Sequence, residues 1–227
     1  MEIIEVMPRL HLLRFEVGQC YIWQDADGAT LVDAGPQGHG DDIADALDSI
    51  VGSRSALHTV VLTHSHGDHT GSLAEIRRLT GATVLAHPLE ADCVRGLRAP
   101  SPPVLQDWER PLFEAVGGHL AGPPAEVDAM VEHGDVLRGG LRVVHVPGHT
   151  EGSIAVYEPE EKVLFAGDTL ASHEGTMILG VFNLDLARLA ESARSLSEMD
   201  VEVACFGHGD PVVGGAAQEL RKLVARG

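Results

Sequence analysis

Residues 59–71 read Thr-Val-Val-Leu-Thr-His-Ser-His-Gly-Asp-His-Thr-Gly. Val60, Val61 and Leu62 form a short apolar run, the pattern of a buried strand. His64, Ser65, His66, Gly67, Asp68 and His69 follow without interruption. Imidazoles and a carboxylate placed in an interior without partners would each cost free energy. A borderline divalent cation such as zinc is the partner that this donor set suits. His64 and His66, two apart on an extended loop, are expected to point the same way, while Asp68 and His69 turn elsewhere. That arrangement favours two neighbouring metals over one. Gly67 is expected to let the loop bend sharply between the pairs. Leu73, Ile76 and Leu79 then recur at helical spacing, which predicts a helix over 72–79.

The same alternation of strand and loop runs outward in both directions. Residues 2–34 read as a strand meander, with segments at 3–6, 10–15, 20–23 and 29–32 and a turn at Asp25-Ala26-Asp27-Gly28. Asp33 ends the last of these, where a carboxylate could orient a ligand. Ile43, Ala44, Leu47 and Ile50 mark an amphipathic helix over 41–51. A strand over 82–86 ends at His87-Pro88, and a helix is expected over 89–97. His87 is read as structural. C-terminally, strands are expected at 141–146, 153–157, 162–166 and 203–206, with helices at 186–199 and 216–225. His149, Asp168 and His208 each stand beside a glycine where one of these strands ends. His11 and His145 fall inside strands and are read as structural, whereas His173 is close enough to Asp168 to be considered a pocket residue.

Residues 98–134 differ in character. Pro100, Pro102, Pro103, Pro111, Pro123 and Pro124 fall here among Gly117, Gly118 and Gly122. Trp108, Leu112, Phe113, Val116 and Leu120 make an apolar stripe. The expectation is one domain spanning 1–227 with an insertion at 98–134, carrying one helix and serving as a lid that selects substrate.

Composition bounds the function. An apolar fraction of 44% is that of a globular chain. A net charge of −18 argues against a nucleic-acid surface and against anionic lipid. Cys20, Cys93 and Cys205 are odd in number and far apart, as expected for free thiols in a reducing compartment. The opening Met-Glu-Ile-Ile-Glu-Val lacks a signal peptide's basic start and apolar core. A cytoplasmic protein acting on a small molecule, away from nucleic acid and membrane, is expected.

The run His64-Ser65-His66-Gly67-Asp68-His69 resembles the His-x-His-x-Asp-His motif of the metallo-β-lactamase superfamily. The resemblance covers most of the chain apart from the insertion. It implies an α+β fold, a four-layer αββα sandwich with metals at one edge. It also implies a ligand set: His64, His66 and His149 on one metal, Asp68, His69 and His208 on the second, and Asp168 bridging. Val32-Asp33-Ala34-Gly35 resembles the Val-Asp-x-Gly segment at the floor of that site, which implies that Asp33 holds a ligand from behind.

Two Zn2+ ions are the implied cofactors, with iron or manganese as other metals. A bridging hydroxide would attack the substrate, and Asp68 and Asp168 are the carboxylates expected to matter most to catalysis. Zinc lowers the pKa of bound water to about 7. Exported β-lactamases of the superfamily usually carry Cys or Ser where Asp168 stands. The chain therefore looks more like glyoxalase II, the acyl-homoserine-lactone lactonases and related ester or thioester hydrolases. It departs from glyoxalase II in ending soon after His208, and from the lactonases in having Thr169, Leu170 and Ala171, with no tyrosine, after Asp168. The second reading is a mononuclear iron oxidoreductase of the persulfide dioxygenase type, which uses nearly the same ligands.

Overall fold

The computed structural model describes residues 1–116 and 120–226. The chain divides into two compact units, Met1–Pro100 with Leu120–Val131 and Ser101–His119 with Glu132–Gly227.

The first unit is built on a seven-stranded sheet in sequential order. β1 (Glu2–Met7), β2 (Leu10–Arg14), β3 (Gln19–Asp25) and β4 (Gly28–Val32) form the expected antiparallel meander. Its last turn closes where Asp27 N donates to Asp25 Oδ1 (2.8 Å) and Gly28 takes φ 143°. Helix α1 (Gly40–Val51) buries Ile43, Ala44 and Leu47 and stops at Gly52, whose φ of 90° ends a helix at little cost. β5 (Leu57–Val61) runs parallel to β4, with Val32 opposite Val61. The loops after both strands therefore leave the sheet at one edge. The helix expected over 72–79 is α3 (Leu73–Thr80), and a further short helix, α2 (Gly67–Thr70), precedes it. β6 (Thr83–Ala86) and α4 (Pro88–Val94) follow. Leu13, Ile22, Leu31, Val60, Leu62, Ile76 and Val84 are fully buried between sheet and helices.

The stretch 98–134 is shared between the units. Residues 120–131 complete the first: Ala125 and Val127 enter its core, and β7 (Ala129–Met130) pairs parallel with β6. Residues 101–116 belong to the second and carry α5 (Arg110–Ala115). Residues 117–119 lie outside the described residues.

The second unit has a five-stranded sheet, whose strands lie side by side in the order Val212–Val213, Val203–Cys205, Val163–Phe165, Ile154–Glu158 and Arg142–His145. β8 (Arg142–His145), β9 (Ile154–Glu158) and β10 (Val163–Phe165) are antiparallel. A separate hairpin, β11 (Leu170–His173) with β12 (Thr176–Leu179), follows and is not among the strands expected from the sequence. It turns at Glu174 and Gly175, both at positive φ, the geometry that suits a two-residue hairpin loop. α6 (Leu186–Ser197) starts at Asp185, whose carboxylate accepts from Arg188 N. β13 (Val203–Cys205) runs parallel to β10, with Phe165 opposite Cys205, so both strands end at one edge. β14 (Val212–Val213) and α7 (Ala216–Arg226) close the chain. Leu164, Leu170, Met177, Leu196, Phe206 and Leu220 lie in this unit's core.

Candidate metal centre

In the first unit, the loop after β5 carries four donors in one turn. Asp33, at φ 62°, closes β4 and faces that loop. Its Oδ1 accepts from Thr63 N (2.7 Å) and its Oδ2 accepts from Thr63 Oγ1 (2.8 Å) and from His69 Nδ1 (2.9 Å). The carboxylate thus sets the His69 tautomer, and Nε2 becomes the nitrogen that can ligate a cation. The Thr63 hydroxyl spends its proton on Asp33, so at 3.0 Å it accepts from His64 Nδ1 and sets the same tautomer there. The backbone adds two ties: Ala34 N to His69 O (2.6 Å) and Gly71 N to Gly35 O (2.8 Å).

The two pairs that the spacing suggested, His64 with His66 and Asp68 with His69, lie close to each other in the folded loop. The His64 ring lies 4.7 Å from that of His66 and 4.1 Å from that of His69, centroid to centroid. The ligand atoms of His64 and His66, of His64 and His69, and of Asp68 and His69 come within 4.8 Å of each other. The α2 turn produces this, because His66 O accepts from both His69 N and Thr70 N at 3.0 Å. Gly67 is needed for a different reason from the expected bend: a Cβ there would stand 2.9 Å from Ala121 O. His64, His66 and His69 are buried.

Glu90 also serves this loop. It is buried on α4 and accepts from both Ser65 N (3.0 Å) and Ser65 Oγ (2.5 Å). Nothing in the spacing of the sequence marks it, because it reaches the motif only through the packing of α4. His87, at the start of the same helix, caps α4 by accepting from Leu89 N, which is a structural role.

In the second unit, three strand ends deliver one ligand-type residue each. Asp168 Oδ2 lies 3.7 Å from His149 Nε2 and 3.3 Å from His208 Nε2. His149 Nδ1 faces Asn183 Oδ1 at 3.2 Å. The hairpin β11–β12 and the segment after it, up to Leu184, bind the three ends together. Ser172 N donates to His208 O (3.1 Å), Gly180 N to Thr169 O (3.2 Å) and Leu184 N to His149 O (3.2 Å). Gly148 is required because a Cβ would collide with Leu189 N. His145 Nε2 donates to Glu151 O (2.9 Å), and His173 is exposed on β11.

The thiols behave as free thiols: burial pushes Cys20 and Cys205 far up from the ordinary cysteine range and raises Cys93 more mildly. No helix among the described residues is long and apolar enough to cross a membrane.

The sequence matches the family described as the metallo-beta-lactamase superfamily over residues 13–208. It is 28% identical over 235 residues to the probable metallo-hydrolase YflN of Bacillus subtilis, covering 92% of this chain and 87% of YflN. It is 35% identical over 127 residues to the acyl-coenzyme A thioesterase MBLAC2 of Gallus gallus (52% of this chain, 43% of that protein). It is 36% identical over 139 residues to a hydroxyacylglutathione hydrolase of Pseudomonas aeruginosa (59% and 43%). The chain thus spans less than half the length of the last two. Among solved structures it resembles TTHA1623 in a di-iron-bound form, with TM-score 0.67, 27% identity and coverage of 89% and 92%. The fold is the α+β sandwich of these proteins.

Proposed function

The chain belongs to the metallo-β-lactamase superfamily, and on that premise we propose that it hydrolyses a small ester, thioester or lactone with the help of two metal ions, zinc in the first place. The observation that carries the reading is Asp168, whose Oδ2 stands within 3.7 Å of His149 Nε2 and 3.3 Å of His208 Nε2. A carboxylate so flanked by imidazole nitrogens is suited to sharing two cations. The donors fit the group: all are imidazole nitrogens or carboxylate oxygens, and Asp33 and Thr63 present His69 and His64 through Nε2. In this reading His64, His66 and His149 would hold one ion, Asp68, His69 and His208 the other, and Asp168 would serve both.

When bound, such ions supply a water acidic enough to ionise near neutral pH and a Lewis acid for the attacked carbonyl. The chain's own residues do the positioning. Asp33 and Thr63 fix two ring orientations, Glu90 holds Ser65 between two ligands, and Asp68 brings a carboxylate to 3.6 Å from His69 Nε2. The named activities of MBLAC2 and of the hydroxyacylglutathione hydrolase support an acyl thioester as the substrate class. We assign substrate selection to residues 101–116, where Trp108 is 64% exposed. Three free cysteines accord with a cytoplasmic location.

The di-iron-bound form of TTHA1623 supports iron as the other metal of a two-ion site, and the mononuclear iron oxidoreductase is the reading that a single bound iron would favour. Elemental analysis combined with a panel of thioesters, lactones and aryl esters decides the matter. Two ions per chain and hydrolysis abolished by chelation are expected. A chain that holds no metal, or whose hydrolysis survives chelation, overturns the proposal. One iron per chain with consumption of dioxygen replaces it by the oxidoreductase.

A further inference from the structure

His149 stands on a turn, and what fixes its ring is distant in sequence. Asn183 is buried, and its amide has a determined orientation: Nδ2 donates to Gly180 O at 2.7 Å, which turns Oδ1 toward His149 Nδ1 at 3.2 Å. An amide oxygen only accepts, so His149 carries its proton on Nδ1 and presents Nε2. Asn183 is itself held by the arm 101–116. Val104 N donates to Asn183 O (2.9 Å). Glu109 is buried on an arm whose other side chains are half-buried or exposed, and its carboxylate accepts from Phe182 N (2.9 Å) and Gln106 N (2.7 Å).

Phe182 sits at φ 59°, an unfavourable conformation for an aromatic residue that persists only when its surroundings enforce it. The Glu109 carboxylate on its N–H and the Phe113 ring at 5.1 Å from its own ring provide that enforcement. The turn at Phe182 in turn decides where Asn183 points.

We infer that Asn183 is the positioning residue of His149 and that Glu109 acts through Asn183 by holding the turn at Phe182. This rests on His149 being a metal ligand, as proposed above. The arm then has two roles on two faces. Its exposed side chains are available to substrate, and its one buried carboxylate keeps a ligand aimed.

The test is zinc affinity of the full chain, measured by competition with a chromophoric chelator. Loss of a group that orients a metal-binding histidine weakens affinity about 10- to 100-fold, which is the result expected for Asn183→Ala. Glu109→Gln should weaken zinc binding by up to about 10-fold in the wild-type background and add nothing in the Asn183→Ala background, because coupled residues are not additive. Nitrogen-15 imidazole NMR of the metal-free chain should show the His149 Nδ1 proton exchanging faster with solvent in both variants. Glu109→Gln and this NMR signal carry the test should Asn183→Ala not fold. Unchanged zinc affinity in Asn183→Ala, or additive losses in the double variant, overturns the inference. A wild-type chain that binds no zinc defeats the proposed function and the inference with it. Two bound ions and hydrolysis, with affinity indifferent to Asn183, defeat the inference alone.

Discussion

The two units supply their ligand-type residues in opposite ways. The first places His64, His66, Asp68 and His69 on six consecutive positions, shaped by a single helical turn. The second draws His149, Asp168 and His208 from three separate strand ends and ties them together through β11–β12 and the segment up to Leu184. A local cluster needs only a strand end and a few braces. A distributed one depends on sheet register and on a hairpin that itself holds no ligand. The contiguous loop should therefore tolerate the loss of one brace better than the distributed set tolerates the loss of its central carboxylate.

The largest effect is expected at that carboxylate. Asp168→Ala should lower kcat/KM on the order of 10²- to 10⁴-fold, the several kcal/mol that a metal contributes to a transition state. The fold should survive, since Asp168 lies in the loop beyond β10 rather than in the core. Steady-state kinetics with circular dichroism checks both halves, and near-normal turnover would show that the second unit's ligands do not depend on their centre.

A smaller effect is expected at the brace of the first unit. Glu90→Ala leaves Ser65 N–H and O–H buried without the carboxylate they now share, which costs about 1–3 kcal/mol. Urea unfolding measures it. An unchanged midpoint would mean that the six-residue loop holds itself.

The smallest effect on the folded chain is expected at the arm. Trp108→Ala should leave stability within about 0.5 kcal/mol, because the side chain is 64% exposed. It should raise KM for long acyl chains by up to about 10-fold, at about 0.8 kcal/mol per methylene no longer covered, and leave a small generic ester unaffected. KM across acyl lengths is the measurement. A loss uniform across substrates would remove the arm from substrate selection. Phe113, which shares an apolar stripe with Trp108 in the sequence, packs on Phe182 instead, so its replacement belongs with stability rather than selectivity.

Much of this architecture is legible in the amino-acid sequence. Strands followed by polar loops are readable because the hydrophobic pattern repeats locally, and the His-rich motif is readable because its donors are adjacent. Asp33 is recognisable as well, since it ends a strand beside the motif. Glu90 and Asn183 are not. Their partners lie 25 and 34 positions away, and only the packing of α4 and the return of β12 bring them together. The β11–β12 hairpin escapes a sequence reading because its strands are four residues each and carry no long apolar alternation.

Donor types, the strand ends that carry them and membership of the family all follow from the order of the residues, because each is written in neighbouring positions. Three further properties come from the folded chain: which nitrogen His64, His69 and His149 present, why Gly67 must lack a side chain, and how residues 98–134 are divided. Those depend on atoms that the chain brings together across long separations, where register and close packing, not local pattern, set the distances.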